Sequence, residues 1–264
     1  MNRVSPLGTP YGGNAGETPV SLSVILPAWN EAAGIRQSVE TILVAIDSKS
    51  ISAEIIVVSD GSTDETCEIV RSMPDPRVVL IDFEQNRGKG AALRSGFDAS
   101  RGELVAFFDA DGDITIDSLL GLADQLVRNN CDAVVGSKAH PRSVVSYPAF
   151  RRIQSRAFRQ LVKLLFSMEV GDTQTGAKVL RRRLLVEVMP HIQADGFEFD
   201  LEMIAIASKM GFSLEEGPIT LNFNFTSSVR PRDALKVLGG TIRVRTALNT
   251  HLRTLPVSDQ NSSE

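Results

Sequence analysis

Alternating carboxylates are the most chemically suggestive feature of this sequence. Asp109, Asp111 and Asp113 follow directly after the apolar run Leu104–Phe108. Carboxylates spaced in this way at a strand end can face one cation, and Mg²⁺ or Mn²⁺ is commonly held by one or two carboxylates together with substrate phosphates. The alternative is a polar turn whose acidic side chains accept backbone N–H groups. The pattern predicts a divalent-metal site formed by these three residues.

Two more polar motifs follow apolar runs. Trp29-Asn30-Glu31 comes after the run at 23–27, and Asp60-Gly61-Ser62 comes after the run at 54–59. We expect Asp60 to face a cleft and to accept hydrogen bonds from a nucleobase or a ribose. Ser62 and Thr63 are expected to cap the helix that follows. The alternative is a plain connection between a strand and a helix.

Short apolar runs alternate with stretches of helical periodicity through the first half of the chain. The runs predict strands at 23–27, 54–59, 78–82, 103–108 and 133–136, and the periodicity predicts helices at 31–46, 62–71, 88–99 and 116–128. Such repetition predicts an α/β fold with a mostly parallel, doubly wound central sheet flanked by helices. Ligands of these sheets bind beyond the carboxyl ends of the strands. All three polar motifs fall there.

Composition limits the class of protein. The chain has 264 residues, of which 42% are hydrophobic and 23% charged, which excludes a disordered or collagenous protein. Two cysteines without CxxC spacing are typical of free thiols in a reducing cytosol. No apolar stretch approaches the roughly 18–20 residues of a spanning helix, so we expect no transmembrane segment. None of the three histidines lies near a GxSxG motif, which excludes a serine hydrolase.

Charge is unevenly distributed along the chain. Residues 1–135 contain 10 Lys and Arg against 20 Asp and Glu, whereas residues 136–264 contain 18 against 12. This predicts a cation partner for the first half and an anionic partner for the second. Within the second half, residues 147–166 keep helical spacing and carry a basic face formed by Arg151, Arg152, Arg156, Arg159 and Lys163. That helix either packs on the sheet with a solvated face, or binds an anionic membrane or a phosphate.

The acidic segments 171–176 and 196–202 lie within this basic half. They suggest a role in orienting a substrate, and the alternative is helix capping and salt bridges. Nucleic acid is not an expected partner, because the chain has few aromatic side chains for base stacking. We expect a disordered arm at 1–20, a catalytic domain at 21–226, a basic amphipathic helical region at 227–254 and a disordered tail at 255–264.

Seven motifs together resemble the family 2 glycosyltransferases of GT-A fold. They occur in order at 27–35, 57–66, 86–97, 107–113, 134–138, 171–182 and 196–219. Within that family the likeness is greatest to the polyprenyl-phosphate hexosyltransferases, and particularly to the dolichyl-phosphate β-glucosyltransferases. The resemblance implies an inverting transferase that uses Mg²⁺ or Mn²⁺, a nucleotide-sugar donor and a polyprenyl phosphate acceptor. It implies a peripheral enzyme on the cytosolic face of a membrane, with an anionic membrane surface as partner. UDP-glucose is favoured as donor, and GDP-mannose or a soluble hydroxyl acceptor is the alternative.

The resemblance also implies roles for individual residues. The donor nucleotide would be bordered by Pro27, Ala28, Asn30, Glu31, Asp60, Lys89, Asp109 and Ala110. Asp111 would be the main metal ligand, with Asp109 and Asp113 beside it. Arg151, Arg152 and Arg156 would hold the lipid phosphate, and Lys138 stands where relatives have an arginine. Asp172 is expected to orient the sugar or a basic residue. Ser59, Trp29 and Ala177 depart from the usual pattern of the family.

Overall fold

The computed structural model describes residues 20–145, 159–160, 166, 168, 170–196, 198–222 and 245. The expected N-terminal arm (except Val20) and the C-terminal tail lie outside the described residues. So do nearly all of the basic helix predicted at 147–166 and of the region at 227–254.

The described strands are β1 (Leu22–Ala28), β2 (Ala53–Ser59), β3 (Val78–Asp82), β4 (Leu104–Phe108), β5 (Ala133–Ser137), β6 (Val144–Val145), β7 (Ala177–Arg181), β8 (Leu214–Pro218) and β9 (Thr220–Leu221). Seven of them form the central sheet, in the order β3-β2-β1-β4-β7-β5-β8, and β6 and β9 form a separate pair. The helices are α1 (Ile35–Ser48), α2 (Thr66–Arg71), α3 (Lys89–Ala99), α4 (Ile116–Asn129), α5 (Arg182–Val188) and α6 (Phe199–Lys209). A 3₁₀ turn covers Met189–His191.

The predicted α/β fold with a mostly parallel sheet is confirmed. The five predicted strands correspond to β1–β5, and β1 pairs in parallel with both β2 and β4. Four of the nine described strands, β6 to β9, lie outside the prediction, and one of these, β7, lies antiparallel between β4 and β5. Its sequence, AKVLR, has Lys178 among its apolar residues, which hides it from a search for continuous apolar runs.

Helices cover both faces of the sheet, which explains why its strands are apolar throughout. Val24 and Leu26 of β1 join the core on the α1 and α4 side, whereas Ile25 joins the core on the α3 and α6 side. Full burial of each such side chain contributes about 1.5–3 kcal/mol relative to exposure. The two cores therefore fix the strands, and with them the loops at the strand ends.

Candidate active site

The three polar motifs meet at the carboxyl edge of neighbouring strands, as the sequence predicts. The motif at 29–31 follows β1, the motif at 60–62 follows β2, and Asp109 follows β4. Pro27 and Ala28 are the last two residues of β1, and Trp29, 56% exposed, marks the outer rim. Because β1 lies between β2 and β4, it brings the three loops together.

Hydrogen bonds join the loop after β1 to the loop after β2. Asn30 has a left-handed backbone with φ 57°, its N–H donates to Ser62 Oγ (3.1 Å), and its Oδ1 accepts the Thr63 N–H (2.8 Å). The N–H of Glu31 donates to Thr66 Oγ1 at 2.8 Å. The two loops therefore form one cross-linked rim.

The expected capping role of Ser62 and Thr63 is wrong. Helix α2 begins at Thr66, and the residue before it, Glu65, makes no capping hydrogen bond through its side chain. The two hydroxyl residues instead bond to the loop after β1, while Asp64 Oδ2 accepts the N–H of Ala32 at 3.0 Å. Bonds between the loops take up Ser62 and Thr63, whereas Asp64 Oδ1 accepts the N–H of Thr66, the first residue of α2, at 3.0 Å.

Asp60 is buried and holds the loop that leads into α3. Its two carboxylate oxygens accept the N–H groups of Arg87 (2.6 Å) and Gly88 (2.9 Å). The loop lies so close that a Cβ on Gly61 would come within 2.4 Å of the Asn86 nitrogen. The predicted contact of Asp60 with a base or ribose stays a prediction. In the structure, the Asp60 carboxylate binds the loop before α3.

The glycines at the start of α3 allow the backbone of Asp195 to lie against this end of the helix. The carbonyl oxygen of Asp195 accepts the N–H of Gly90 at 2.7 Å and that of Ala91 at 3.3 Å. A Cβ on Gly88 would lie 2.3 Å from the same oxygen, and Gly88 has φ 99°. These N–H groups of the first turn are therefore already bonded within the protein.

Acidic side chains concentrate around the end of β4. Burial opposes ionisation of Asp109, but the Lys89 ammonium, 2.7 Å from Oδ1, outweighs this and lowers its pKa. Burial and the neighbouring Asp109 raise the pKa of Asp111 to about 6. Burial, with Asp111 next in effect, raises the pKa of Glu31. Asp111 therefore lies in a field of negative charge that a cation would relieve.

The three alternating carboxylates differ in their partners, and their joint role as metal ligands stays a prediction. Within the described ranges, no group of three or more His, Cys, Asp or Glu residues is arranged to hold a metal ion. Asp109 is paired with Lys89, and Asp111 Oδ1 accepts the N–H of Asp113 at 3.0 Å. Asp111 remains a suitable ligand, because Mg²⁺ often binds through a single carboxylate and the phosphates of a substrate.

The site also contains two residues whose importance the sequence did not show. Lys178 of β7 and Asp200 of α6 are both buried and form an ion pair behind Lys89. The acidic segment at 196–202 had salt-bridge formation as one interpretation, and that interpretation is confirmed for Asp200. The motif at 171–182 includes Lys178 but does not show its ion-pair partner, because Asp200 lies far away in sequence.

Asp172 positions the end of β5. Its Oδ2 accepts the N–H of Lys138 at 2.7 Å, and the preceding N–H, of Gly171, donates to Glu216 Oε1 at 2.7 Å. Asp172 is buried, so this bond is shielded from water. The bond goes to the backbone of Lys138, so the two expected roles of Asp172, orienting the sugar or a basic residue, both stay predictions. Ala110 is buried as well, and its carbonyl oxygen accepts a hydrogen bond from Ser38.

The predicted acceptor arginines Arg151, Arg152 and Arg156 lie outside the described residues. None of the helices in the part of the chain that the structure describes is long and apolar enough to cross a membrane. The described site is thus the donor half of the predicted arrangement.

Comparison with known families bears directly on this arrangement. The family model described as glycosyl transferase family 2 matches residues 23–189. The chain belongs to this family. The match includes the three polar motifs that follow β1, β2 and β4.

Similar proteins include glycosyltransferase AglD of Haloferax volcanii, 31% identical over 76% of this chain and 33% of AglD. The dolichyl-phosphate β-glucosyltransferase of Saccharomyces cerevisiae is 29% identical over 76% of this chain and 66% of its own length. The human protein of the same name is 30% identical over 70% of this chain and 62% of its own length. The chain thus spans a third of AglD and somewhat less than two thirds of these glucosyltransferases.

Solved structures confirm the GT-A fold. Glucosyl-3-phosphoglycerate synthase of Mycobacterium tuberculosis, crystallised with Mn²⁺, UDP and phosphoglyceric acid, superimposes with a TM-score of 0.64 over 86% of this chain and 78% of its own, at 21% identity. Mannosyl-3-phosphoglycerate synthase of Rubrobacter xylanophilus superimposes with a TM-score of 0.66 over 90% of this chain and 76% of its own, at 17% identity.

Proposed function

We propose that this chain is a metal-dependent inverting glycosyltransferase of the polyprenyl-phosphate type. It transfers glucose from a nucleoside diphosphate sugar, with UDP-glucose favoured, to a polyprenyl phosphate. The reaction takes place at the cytosolic face of a membrane, to which the protein binds peripherally. Support comes from the family, from the names of the similar glucosyltransferases and from the site geometry.

The observation that carries this proposal is the acidic position at the end of β4. Asp111 lies among Asp109, Asp113 and Glu31, and the nearby Lys89 is held by Asp109 and Asp200. A diphosphate on its own would bind weakly at such a site, because it would meet charge of its own sign. Asp111 would hold Mg²⁺ or Mn²⁺ together with the diphosphate of the donor. When bound, the ion supplies Lewis-acid neutralisation of the charge on the leaving diphosphate.

The protein's own residues position the reactants. The cross-linked rim formed by the loops after β1 and β2 borders the nucleotide, and Asp60 holds one wall of that cleft. Lys138 would bring positive charge to the anionic donor, and Lys89, held on Asp109, would lie beside the nucleotide. In the basic half, Arg151 and Arg156 would hold the acceptor phosphate by charge-assisted hydrogen bonds.

The acceptor chemistry reduces the need for a general base. A phosphate monoester is already largely ionised at pH 7, because its second pKa is near 6. Its oxygen attacks the anomeric carbon opposite the leaving diphosphate, so an α-linked donor gives a β-linked product. In this scheme Asp172 orients Lys138 and takes no proton from the acceptor.

The donor and the acceptor can be tested in one reconstituted system. The protein is incubated with Mn²⁺, radiolabelled UDP-glucose or GDP-mannose, and liposomes with or without polyprenyl phosphate. We expect label in the lipid fraction only with UDP-glucose and the lipid phosphate. Calorimetric titration with UDP and GDP tests base preference independently, and tighter binding of GDP would favour the mannosyl alternative.

Membrane binding is tested by co-sedimentation with anionic liposomes. Each basic residue near an anionic leaflet contributes about 1 kcal/mol, so changing Arg151, Arg152, Arg156 and Arg159 to Gln should release the protein. UDP binding should stay unchanged, because the donor site lies in the acidic half. If the wild-type protein ignores anionic liposomes and glycosylates a water-soluble alcohol, the soluble-acceptor alternative holds.

A further inference from the structure

Four charged side chains of alternating sign form a line from the interior to the acidic edge of the sheet. Lys178 Nζ lies 3.0 Å from Asp200 Oδ1, Asp200 Oδ2 lies 3.6 Å from Lys89 Nζ, and Lys89 Nζ lies 2.7 Å from Asp109 Oδ1. The exposed fraction of the side chain rises along this charge line from 1% at Lys178 to 34% at Asp109. The line joins β7, α6, α3 and the end of β4.

Stability alone does not explain why Lys178 and Asp200, the inner pair of the charge line, are buried as charged side chains. Removing two charges from water is costly, and apolar residues of similar volume often replace a buried ion pair without loss. An acidic residue in the first turn of α6 is favourable, but it needs no buried lysine. Lys178 Nζ lies 3.0 Å from Asp200 Oδ1 and also donates to the Thr175 carbonyl oxygen at 2.6 Å, so the ammonium is held in place from two sides. A neutral side chain could fill the same volume, so the charges themselves need an explanation.

The outer end of the line is fixed in place. The N–H of Asp109 donates to the Gly176 carbonyl oxygen at 2.8 Å, and a Cβ on Gly176 would lie 2.1 Å from Asp109 Oδ2. Asp109 is thus held between the backbone of Gly176 and the Lys89 ammonium. The line as a whole is neutral, since it contains two cations and two anions. Asp111, outside the line, keeps its charge available for a cation.

We propose that Asp200 and Lys178 are positioning residues that act through Lys89. They hold its ammonium on Asp109 and set the net charge that a divalent cation meets at Asp111. This inference rests on the proposed function, because it concerns the metal that the transfer reaction would use. It predicts opposite effects for the two residues. Removing the negative charge of Asp200 must weaken binding of the metal ion, and removing the positive charge of Lys178 must not.

The test measures binding of Mn²⁺ to the protein in the presence of UDP and in the absence of any acceptor. Electron paramagnetic resonance gives the concentration of free Mn²⁺. Asp200→Asn should weaken binding about tenfold, a size typical of one uncompensated charge near a partly buried site. Lys178→Met should bind Mn²⁺ as tightly as the wild type or more tightly. The double variant restores neutrality and should return to within about threefold of the wild type.

A purely structural role predicts a different pattern. Both single variants would then weaken Mn²⁺ binding, and the double variant would bind no better than either, which would overturn the proposal. Asp195→Asn is the matched control, because this carboxylate is 64% exposed and pairs with Arg94 on the same side of the protein. It should bind Mn²⁺ as the wild type does.

Two further outcomes keep this inference separate from the proposed function. A wild-type protein that binds Mn²⁺ with UDP but moves no glucose to polyprenyl phosphate contradicts the function and leaves the charge line supported by the binding data. Wild-type Mn²⁺ affinity in folded Asp200→Asn overturns the charge line whatever the acceptor is. If circular dichroism shows that Asp200→Asn does not fold, the other two variants decide: weaker binding by Lys178→Met, or binding by the double variant that is more than about threefold weaker than the wild type, overturns the proposal.

Discussion

Replacing Gly176 by alanine places a methyl group against the side chain that ends β4. The new Cβ would lie 2.1 Å from Asp109 Oδ2 and 2.5 Å from its Cγ, far inside any van der Waals contact. The carboxylate has little room to withdraw, because Lys89 holds its other oxygen at 2.7 Å and the Asp109 N–H is bonded to the Gly176 carbonyl oxygen. Either the ion pair or the strand end must move.

The size of the effect follows from this geometry. Forcing an extra methyl group into a packed site typically costs about 1–3 kcal/mol. For a chain of this size, that loss lowers Tm by about 2–10 °C. Catalysis should suffer more, because a displacement of about 1 Å at a reacting group can cost about 100-fold in rate. We therefore expect Gly176→Ala to lose at least about tenfold in transfer while staying folded.

Gly121→Ala is the matched control for this substitution. Gly121 lies within α4, and a Cβ there would meet nothing within 4 Å. Alanine in an open helical position stabilises by about 0.5–1 kcal/mol relative to glycine, so Tm should rise slightly and activity should not change.

The assay combines thermal unfolding, Mn²⁺ and UDP binding, and glucose transfer for both variants. The reasoning fails if Gly176→Ala has the Tm and the Mn²⁺ affinity of the wild type, since the carboxylate would then be free to move. It also fails if Gly121→Ala loses as much activity as Gly176→Ala.

Substitutions at three further positions test individual roles. Asp111→Asn should abolish transfer at any Mn²⁺ concentration, as a chelator should in the wild type; retention of more than about a tenth of the activity, a loss below about 1.4 kcal/mol, contradicts the metal assignment. Asp172→Asn should keep activity, since its amide oxygen can still accept the Lys138 N–H, whereas Asp172→Ala should destabilise by about 1–3 kcal/mol in urea unfolding; loss of transfer in both would make Asp172 a chemical base. Asp60→Asn can accept only one of the two N–H groups that its carboxylate holds, so the free energy of unfolding should fall by about 1–3 kcal/mol, and an unchanged urea midpoint would refute that account.

The fold was largely predictable because its strands are covered on both faces. Residues such as Ile25 and Val24 point to opposite cores, and both cores are apolar, so the strands read as continuous apolar runs. The position of the site was predictable for a related reason: parallel strands place their carboxyl ends at one edge, and polar residues follow them there.

The electrostatic partners were not predictable in the same way. A lysine within a short strand or an aspartate at the start of a helix reads as an ordinary surface charge. Only the fold brings Lys178, Lys89 and Asp200 together, because each comes from a different element. Likewise, Ser62 could cap a helix or join two loops, and sequence shows the capacity for a hydrogen bond without its partner.

If the proposed function holds, the arrangement implies that donor and cation bind as linked ligands. The backbone N–H groups of Asn30, Glu31 and Ala32 and those of the first turn of α3 are already bonded within the protein, so they offer a diphosphate little. The side chains nearest to Asp111 are mostly anionic. A diphosphate therefore gains affinity from the cation, and the cation gains affinity from the diphosphate. Linkage requires both gains to be the same factor, so a donor site of this kind binds its nucleotide weakly until the ion is present.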